Sequence, residues 1–240
     1  NRKANADGTN VTLVKRTVLL AKLGISADTG KVNDRRFYET PAVAVMKDGG
    51  GLHVAVAIGS GDRSFPKSNR DTQDRFYMIR DYDVARTDLL TRSSTATPSL
   101  DRAFTHANLS DVTSATSTVD ATKTGWYFSL PATAEKVLSS PFIFSRKTNN
   151  GLVFEAYFNS FRPDSSAASS CAPVAGSTAA WTVLVQNGRA GRDLNNDGTV
   201  NDADRFIENV AAGITGSDVG VIRDTDGDGV GDQYKRITGT

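Results

Sequence analysis

Apolar and polar positions along the chain alternate in short runs, and helical periodicity is scarce. Runs rich in Val, Phe, Tyr and Thr span Ala42 to Met46, Leu52 to Ile58, Phe76 to Arg80, Trp126 to Leu130, Pro141 to Ser145, Leu152 to Phe158 and Trp181 to Gln186. Runs of this kind predict β-strands. Between them lie clusters that favour turns, among them Lys47-Asp48-Gly49-Gly50-Gly51, Gly59-Ser60-Gly61-Asp62, Thr148-Asn149-Asn150-Gly151 and Gln186-Asn187-Gly188. Gly and Asn tolerate positive φ, and the last two clusters predict hairpin turns.

Aromatic residues return in pairs, Phe37-Tyr38 and Phe76-Tyr77, then Trp126-Tyr127, Tyr157-Phe158 and Trp181. Loose spacing of aromatic-bearing strand groups fits propeller blades, and a β-sandwich also fits. The fold expected is therefore all-β, a β-propeller or part of one, with residues 1–240 in a single propeller-type domain. Helix is expected in two places only. One is Pro98 to Leu109, and the other is Asp202 to Ala212, where Phe206, Ile207, Val210 and Ala211 share one apolar face. Ser93 to Thr97, Ser110 to Thr124 and Pro163 to Ala180 read as surface loops.

Composition adds a polarity that the total conceals. The 240 residues carry 28 basic and 27 acidic side chains, a formal net charge of +1. Of the acids, 23 are Asp and 4 are Glu, and residues 193–240 hold ten acids against four bases, −6, leaving +7 for residues 1–192. The basic surplus forms no Lys/Arg stripe with interleaved aromatics, so nucleic acid is not an expected partner. The longest apolar runs fall short of the ~20 residues that span a bilayer, so no transmembrane segment is expected. The chain opens on Asn1-Arg2-Lys3 without Met, which reads as a processed piece of a longer polypeptide, and its one cysteine, Cys171, has no internal partner.

The sharpest chemistry lies in that acidic region. Asp224, Asp226, Asp228 and Asp232 occupy positions 1, 3, 5 and 9 of a loop, with Val230 at 7 offering a carbonyl. Calcium takes six to eight oxygens, and a tight loop with alternating inward side chains supplies them. A second loop places Asp193, Asn195, Asp197 and Asn201 at 1, 3, 5 and 9, Gly198 at 6, Thr199 at 7 and Asp204 at 12. Its two asparagines lower its charge and predict weaker binding. Solvated Asp/Asn/Gly turns are the alternative for both loops. The oxygen-only donor set favours Ca2+ over magnesium, and the lack of nearby His or Cys disfavours zinc and copper.

Candidate catalytic groups are sparse. His53 sits in an apolar strand run, His106 in the weak helix, and no G-x-S-x-G elbow accompanies either. Gly59-Ser60-Gly61-Asp62-Arg63 lacks the elements of a phosphate loop and reads as a tight turn with an Asp-Arg contact. Cys171 sits among Ser, Ala and Pro, without a basic neighbour to activate it.

Taken together, Arg35-Arg36-Phe37-Tyr38-Glu39-Thr40-Pro41, Gly59-Ser60-Gly61-Asp62-Arg63 and Asp74-Arg75-Phe76-Tyr77 resemble the C-terminal β-propeller of the PilY/PilC family, tip-associated adhesins and assembly factors of type IV pili. Gly125-Trp126-Tyr127-Phe128-Ser129-Leu130, Glu135-Lys136-Val137-Leu138-Ser139 and Cys171 before Gly176 follow the family's order, and the resemblance covers about residues 32–235. The family's calcium pattern, D-x-D/N-x-D-x-x-x-D, falls on Asp224, Asp226, Asp228 and Asp232 without mismatch; in the first loop Asn201 stands where the family prefers Asp. The resemblance implies an exported, non-catalytic protein at a pilus tip, cell surface or outer membrane. It implies minor pilins and other tip proteins as partners, an unnamed host or abiotic surface as receptor, and calcium control of extension, retraction and attachment. Family members are longer and carry a variable N-terminal region that nothing here resembles, so the rest of a longer chain is a further expected partner. Two other readings stand beside this one. The first is a quinoprotein-type propeller oxidoreductase, with calcium, a quinone and a stacking Trp126 or Trp181; the second is a generic calcium-stiffened surface repeat.

Overall fold

The computed structural model describes residues 2–4, 10–12, 19–24, 31–67, 70–83, 103–114, 116–148, 151–164, 176–216, 219–223 and 233–237. Strands dominate it. β1 (Arg2–Ala4) and β2 (Asn10–Thr12) form a small antiparallel hairpin. The first large sheet contains β3 (Ala42–Asp48), β4 (Gly51–Gly59), β5 (Arg75–Asp81), β6 (Ser110–Asp111) and β7 (Gly125–Ser129), in the order β3-β4-β5-β7-β6. The second contains β8 (Lys136–Val137), β9 (Phe142–Thr148), β10 (Gly151–Pro163), β11 (Gly176–Leu184) and β12 (Phe206–Ala212). A last hairpin pairs β13 (Val219–Arg223) with β14 (Gln233–Ile237).

Each large sheet is built on a four-stranded antiparallel meander, β3-β4-β5-β7 in one and β9-β10-β11-β12 in the other. The first strands of the two meanders, β3 and β9, lie against each other. Just ahead of them the Thr40 amide donates to Ser140 Oγ at 3.3 Å. Neighbouring propeller blades have this arrangement, and all seven strands expected from the sequence are present. β10 is long enough to pair β9 with its first half and the two-residue β8 with its second.

The aromatic pairs follow from the two-residue period of a strand. Phe76, Trp126, Phe158 and Trp181 point into the space between the sheets, where Phe76 stacks on Phe158 at 3.9 Å and Phe158 on Trp181 at 5.5 Å. Tyr77 points the opposite way, into a smaller cluster with Leu23, Ile79 and Leu109 against which Phe37 and Tyr127 pack. Small residues make room for the large ones, with Ala55, Ala57, Ala156 and Ala179 fully buried among them.

Gly59 and Gly61 owe their place to a close approach. The Val137 amide in β8 donates to the Ser60 carbonyl at 3.0 Å, which ties the end of β4 to the second sheet. A Cβ on Gly61 would lie 2.5 Å from the Val137 carbonyl oxygen, and one on Gly59 2.4 Å from the Val137 side chain. Gly61→Ala should therefore cost about 1–3 kcal/mol in urea unfolding, as forced overpacking does; a neutral result would mean that this seam is looser than described. The turn reading of Gly59-Ser60-Gly61-Asp62-Arg63 gains local detail here. Asp62 accepts the amides of Ser64 and Phe65, and Arg63 reaches Glu39 at 2.5 Å.

Three expectations change. Asp202 to Ala212 is a 3-10 turn, Asp202–Arg205, followed by the edge strand β12. The helix-like spacing of its apolar residues comes from a bulge, with Ala180 opposite Ile207 and Thr178 opposite Ala211, so that two extra residues are taken up around Asn209 at φ 54°. Within Pro98 to Leu109 the described part holds one 3-10 turn, His106–Asn108, while Phe104 bonds Leu20 and Lys22 in an extended bridge. Ser110 to Thr124 is no mere surface loop, because Ser110–Asp111 runs parallel to β7 and Val112 is fully buried in the core. Residues 176–180 likewise belong to β11. The stretches 93–97 and 165–175, with Cys171, lie outside the described residues. Among the described residues no helix is long and apolar enough to cross a membrane.

Candidate metal centre

The segment from Asp193 to Asp204 joins β11 to β12. Gln186-Asn187-Gly188 reverses the chain, with the Gly188 amide on the Leu184 carbonyl at 2.8 Å, but it leads into the acidic loop and not into a hairpin strand. Asp193, the first position, accepts the amides of Asp197 at 3.2 Å and Gly198 at 2.9 Å, so the loop curls around this carboxylate. Gly198 sits at φ +87°, a left-handed conformation that glycine adopts without strain. The Asn195 side chain accepts from the Asp197 amide and donates to Asp197 Oδ2, each at 3.0 Å. Asp197 also accepts the Thr199 hydroxyl at 2.7 Å and the Thr199 amide at 2.8 Å, bonds that hold its carboxyl below the usual carboxylate range.

Asp204 closes the loop from its twelfth position. Its carboxylate is completely buried and takes the amides of Leu194 and Asn195 on Oδ1 and that of Asn201 on Oδ2. Those backbone bonds, the one from Asn201 foremost, keep it ionised below its ordinary range. The Asn201 side chain caps the 3-10 turn through the Ala203 amide at 2.8 Å. A carboxylate offers about four lone-pair directions, so three bonded amides leave Asp204 one for an ion. Asp204 is a clamp first and at most a single-oxygen ligand.

The remaining donors are hard oxygens, from Asp193, Asn195, Asp197, Asn201 and the Thr199 carbonyl, and they fit calcium in type and in backbone course. Without an ion, the side chains of Asp193, Asn195, Asp197 and Asn201 are engaged by amides and side chains of the loop itself. Among the described residues no group of three or more His, Cys, Asp or Glu side chains converges as a ready metal cluster. Asp202, beside them, is neutralised within the protein by Arg189, at 3.1 Å, and by Arg205, at 2.9 Å. Arg205 is itself buried, with its guanidinium 5.3 Å from the Phe128 ring and bonded to the Val112 carbonyl. Sequence reasoning missed both arginines, because nothing local marks Val112 and Phe128 as neighbours of Arg205, or Ser114 and Ser117 as neighbours of Arg189.

Asp224, Asp226, Asp228, Val230 and Asp232 lie outside the described residues. The strands that flank them do not: Arg223 pairs with Gln233, so the two ends of the segment are held side by side.

The histidines and tryptophans are committed elsewhere. His53, nearly buried in β4, packs on Tyr82 with its ring 4.8 Å away, and His106 Nε2 lies 3.0 Å from the Tyr77 hydroxyl. Burial, with Arg75 and Arg35 nearby, pushes the His106 pKa down to about 4. Trp126 and Trp181 are core residues whose Nε1 atoms donate to the Val185 carbonyl at 2.9 Å and to Ser160 Oγ at 2.8 Å. Trp181 also borders a cleft of about 350 Å³ with Phe128, Asp202 and Phe206, but only 1% of its surface is exposed.

No family model matches the chain, and no curated protein does. Among solved structures, the crystal structure of the Pseudomonas aeruginosa PilY1 C-terminal domain is similar to it, with 13% sequence identity and a TM-score of 0.54 over 90% of this chain. The chain spans 46% of that domain, and what the two share is the β-propeller-type fold.

Proposed function

We propose that the chain is a calcium-binding, non-catalytic adhesion and assembly module of an exported protein at the tip of a type IV pilus. The observation that carries this reading is the fold held in common with the PilY1 C-terminal domain, in a chain whose motifs resemble the PilY/PilC family. Minor pilins and a surface receptor are the partners it implies.

Calcium would enter the two acidic loops. Asp193, Asn195, Asp197, Thr199 and Asn201 would hold it in one, with Asp204 as clamp, and Asp224, Asp226, Asp228, Val230 and Asp232 in the other. Bound calcium supplies fixed positive charge that replaces the self-made hydrogen bonds of the loop. An ion that binds the folded loop and not the unfolded chain stabilises the fold by mass action.

Calorimetric titration of the 240-residue chain is expected to show two calcium sites of unequal affinity. Asp228→Ala should remove the tighter site, lowering the melting temperature in calcium while hardly changing it in chelator, and Asp193→Ala should remove the weaker, lowering the melting temperature more in calcium than in chelator, where only its bonds to the Asp197 and Gly198 amides are lost. Unaltered titration in both variants would sink the calcium reading, and failure of the chain to bind pilin subunits in either ionic condition would sink the pilus reading.

A further inference from the structure

A cleft of about 620 Å³ opens at the seam between the two sheets, and none of the acidic-loop residues lines it. Its size falls in the range of roughly 300–1,000 Å³ usual for small-molecule sites. One wall is charged. Asp48, at the tip of the β3-β4 hairpin, accepts the Tyr82 hydroxyl at 2.9 Å and the Gly50 amide at 2.9 Å. Arg80 gives Nη2 to the Gln186 carbonyl at 2.6 Å and holds Nη1 3.9 Å from Asp48, an ion pair too long for a hydrogen bond. The apolar part of the lining is built from Met46, Leu152, Phe154 and Val185, and Leu152 is 55% exposed.

We propose that this cleft binds a free α-amino acid with an apolar side chain. Such a ligand carries an ammonium and a carboxylate on one carbon, and the loosely spaced Asp48 and Arg80 present their complements side by side. A lone carboxylate would meet Arg80 but be repelled by Asp48, and a lone amine would meet the reverse, so the zwitterion is the form that both charges favour. The side chain then lies on Leu152, Phe154 and Met46. His53, packed beneath Tyr82, keeps that ring in place over Gly50, where any Cβ would strike Tyr82 at 2.9 Å. This site is independent of the calcium and pilus readings.

The test is a calorimetric titration of the 240-residue chain with L-phenylalanine, 3-phenylpropionate and phenethylamine. L-Phenylalanine is expected to bind saturably, and each analogue, lacking one charge, about tenfold more weakly or worse. Asp48→Asn should erase the preference over 3-phenylpropionate. Leu152→Asp, at an exposed position where folding is safe, should weaken L-phenylalanine about tenfold without changing the melting temperature, which keeps the proposal testable if Asp48→Asn unfolds. No saturable binding of L-phenylalanine, or equal binding of 3-phenylpropionate to the parent chain, overturns it.

Discussion

Trp181→Ala is expected to destabilise the chain by about 3–5 kcal/mol, the cost of emptying a large aromatic site in a packed core. Trp181 stacks on Phe128 at 5.2 Å and on Phe158 at 5.5 Å, and Phe206 lies 4.4 Å from it. It thus touches both sheets and the edge strand β12 at once, so the cavity has three walls that cannot collapse together. Its indole also donates to Ser160 Oγ, and Ser160 in turn donates to the buried Glu135. The alanine variant therefore loses packing and strips a donor from a buried polar chain. In a domain of this size the melting temperature should fall by roughly ten degrees or more. Trp181→Phe, which keeps a ring and loses only the N–H, should cost less than half as much. An alanine penalty below about 1 kcal/mol would show that the two sheets do not close on this residue.

The second large effect runs in the opposite direction and depends on pH. Asp74 opens β5's leading edge and is 1% exposed. Its Oδ1 accepts the Ser60 hydroxyl at 2.6 Å, Ser60 Oγ accepts the Arg75 amide at 2.9 Å, and Oδ2 is buried without a hydrogen-bond partner. Burial raises its pKa from 3.8 to about 6, although Ser60, Lys136 and Arg35 pull it down, while Asp62 adds to the rise. A carboxyl that holds its proton more tightly when folded favours the native state most at low pH. That advantage is full below about pH 4 and is lost as pH climbs toward 6, since the unfolded chain then releases the proton first. A difference of about two units corresponds to roughly 3 kcal/mol. Asp74→Asn should accordingly be more stable than the parent by up to ~3 kcal/mol at pH 7.5, and the gain should shrink to nothing by about pH 4. Urea unfolding at a series of pH values checks this; a variant whose penalty or gain is the same at every pH would show that folding does not raise the Asp74 pKa.

The strands were legible because their evidence is local. Phe76, Trp126 and Phe158 each sit in short apolar runs rich in aromatics, and all three enter the core between the sheets. Failures arose where a local pattern had a non-local cause. At β12 a bulge around Asn209 spread four apolar residues into a spacing that imitates a helix turn. Val112, with Val119 packed against the same core, anchors a Ser/Thr-rich stretch, too little signal for a strand. Gly176 to Ala180 reads as loop by composition, yet small residues are what β11 needs there, with Thr178 and Ala179 buried. The acidic loop was visible as spacing, and its curl around Asp193 follows that spacing. What could not be read was how the loop satisfies itself: Asp204 spends its oxygens on three amides, and Asp202 is claimed by arginines that the chain brings in from either side.

Three consecutive residues, Asp204, Arg205 and Phe206, reach respectively into the loop, onto Phe128 of the first sheet and onto Trp181 of the second. In mechanical terms they form a latch. Tension drawn through the chain from the C-terminal side would peel the edge strand β12 residue by residue, since its outward side chains Ile207 and Val210 are exposed and hold little. Peeling would halt at Phe206, where three separate anchorages must fail together. The force borne at that point would then be set by the grip of a short acidic loop, and anything that stiffened the loop would raise the load the whole module sustains before its core opens.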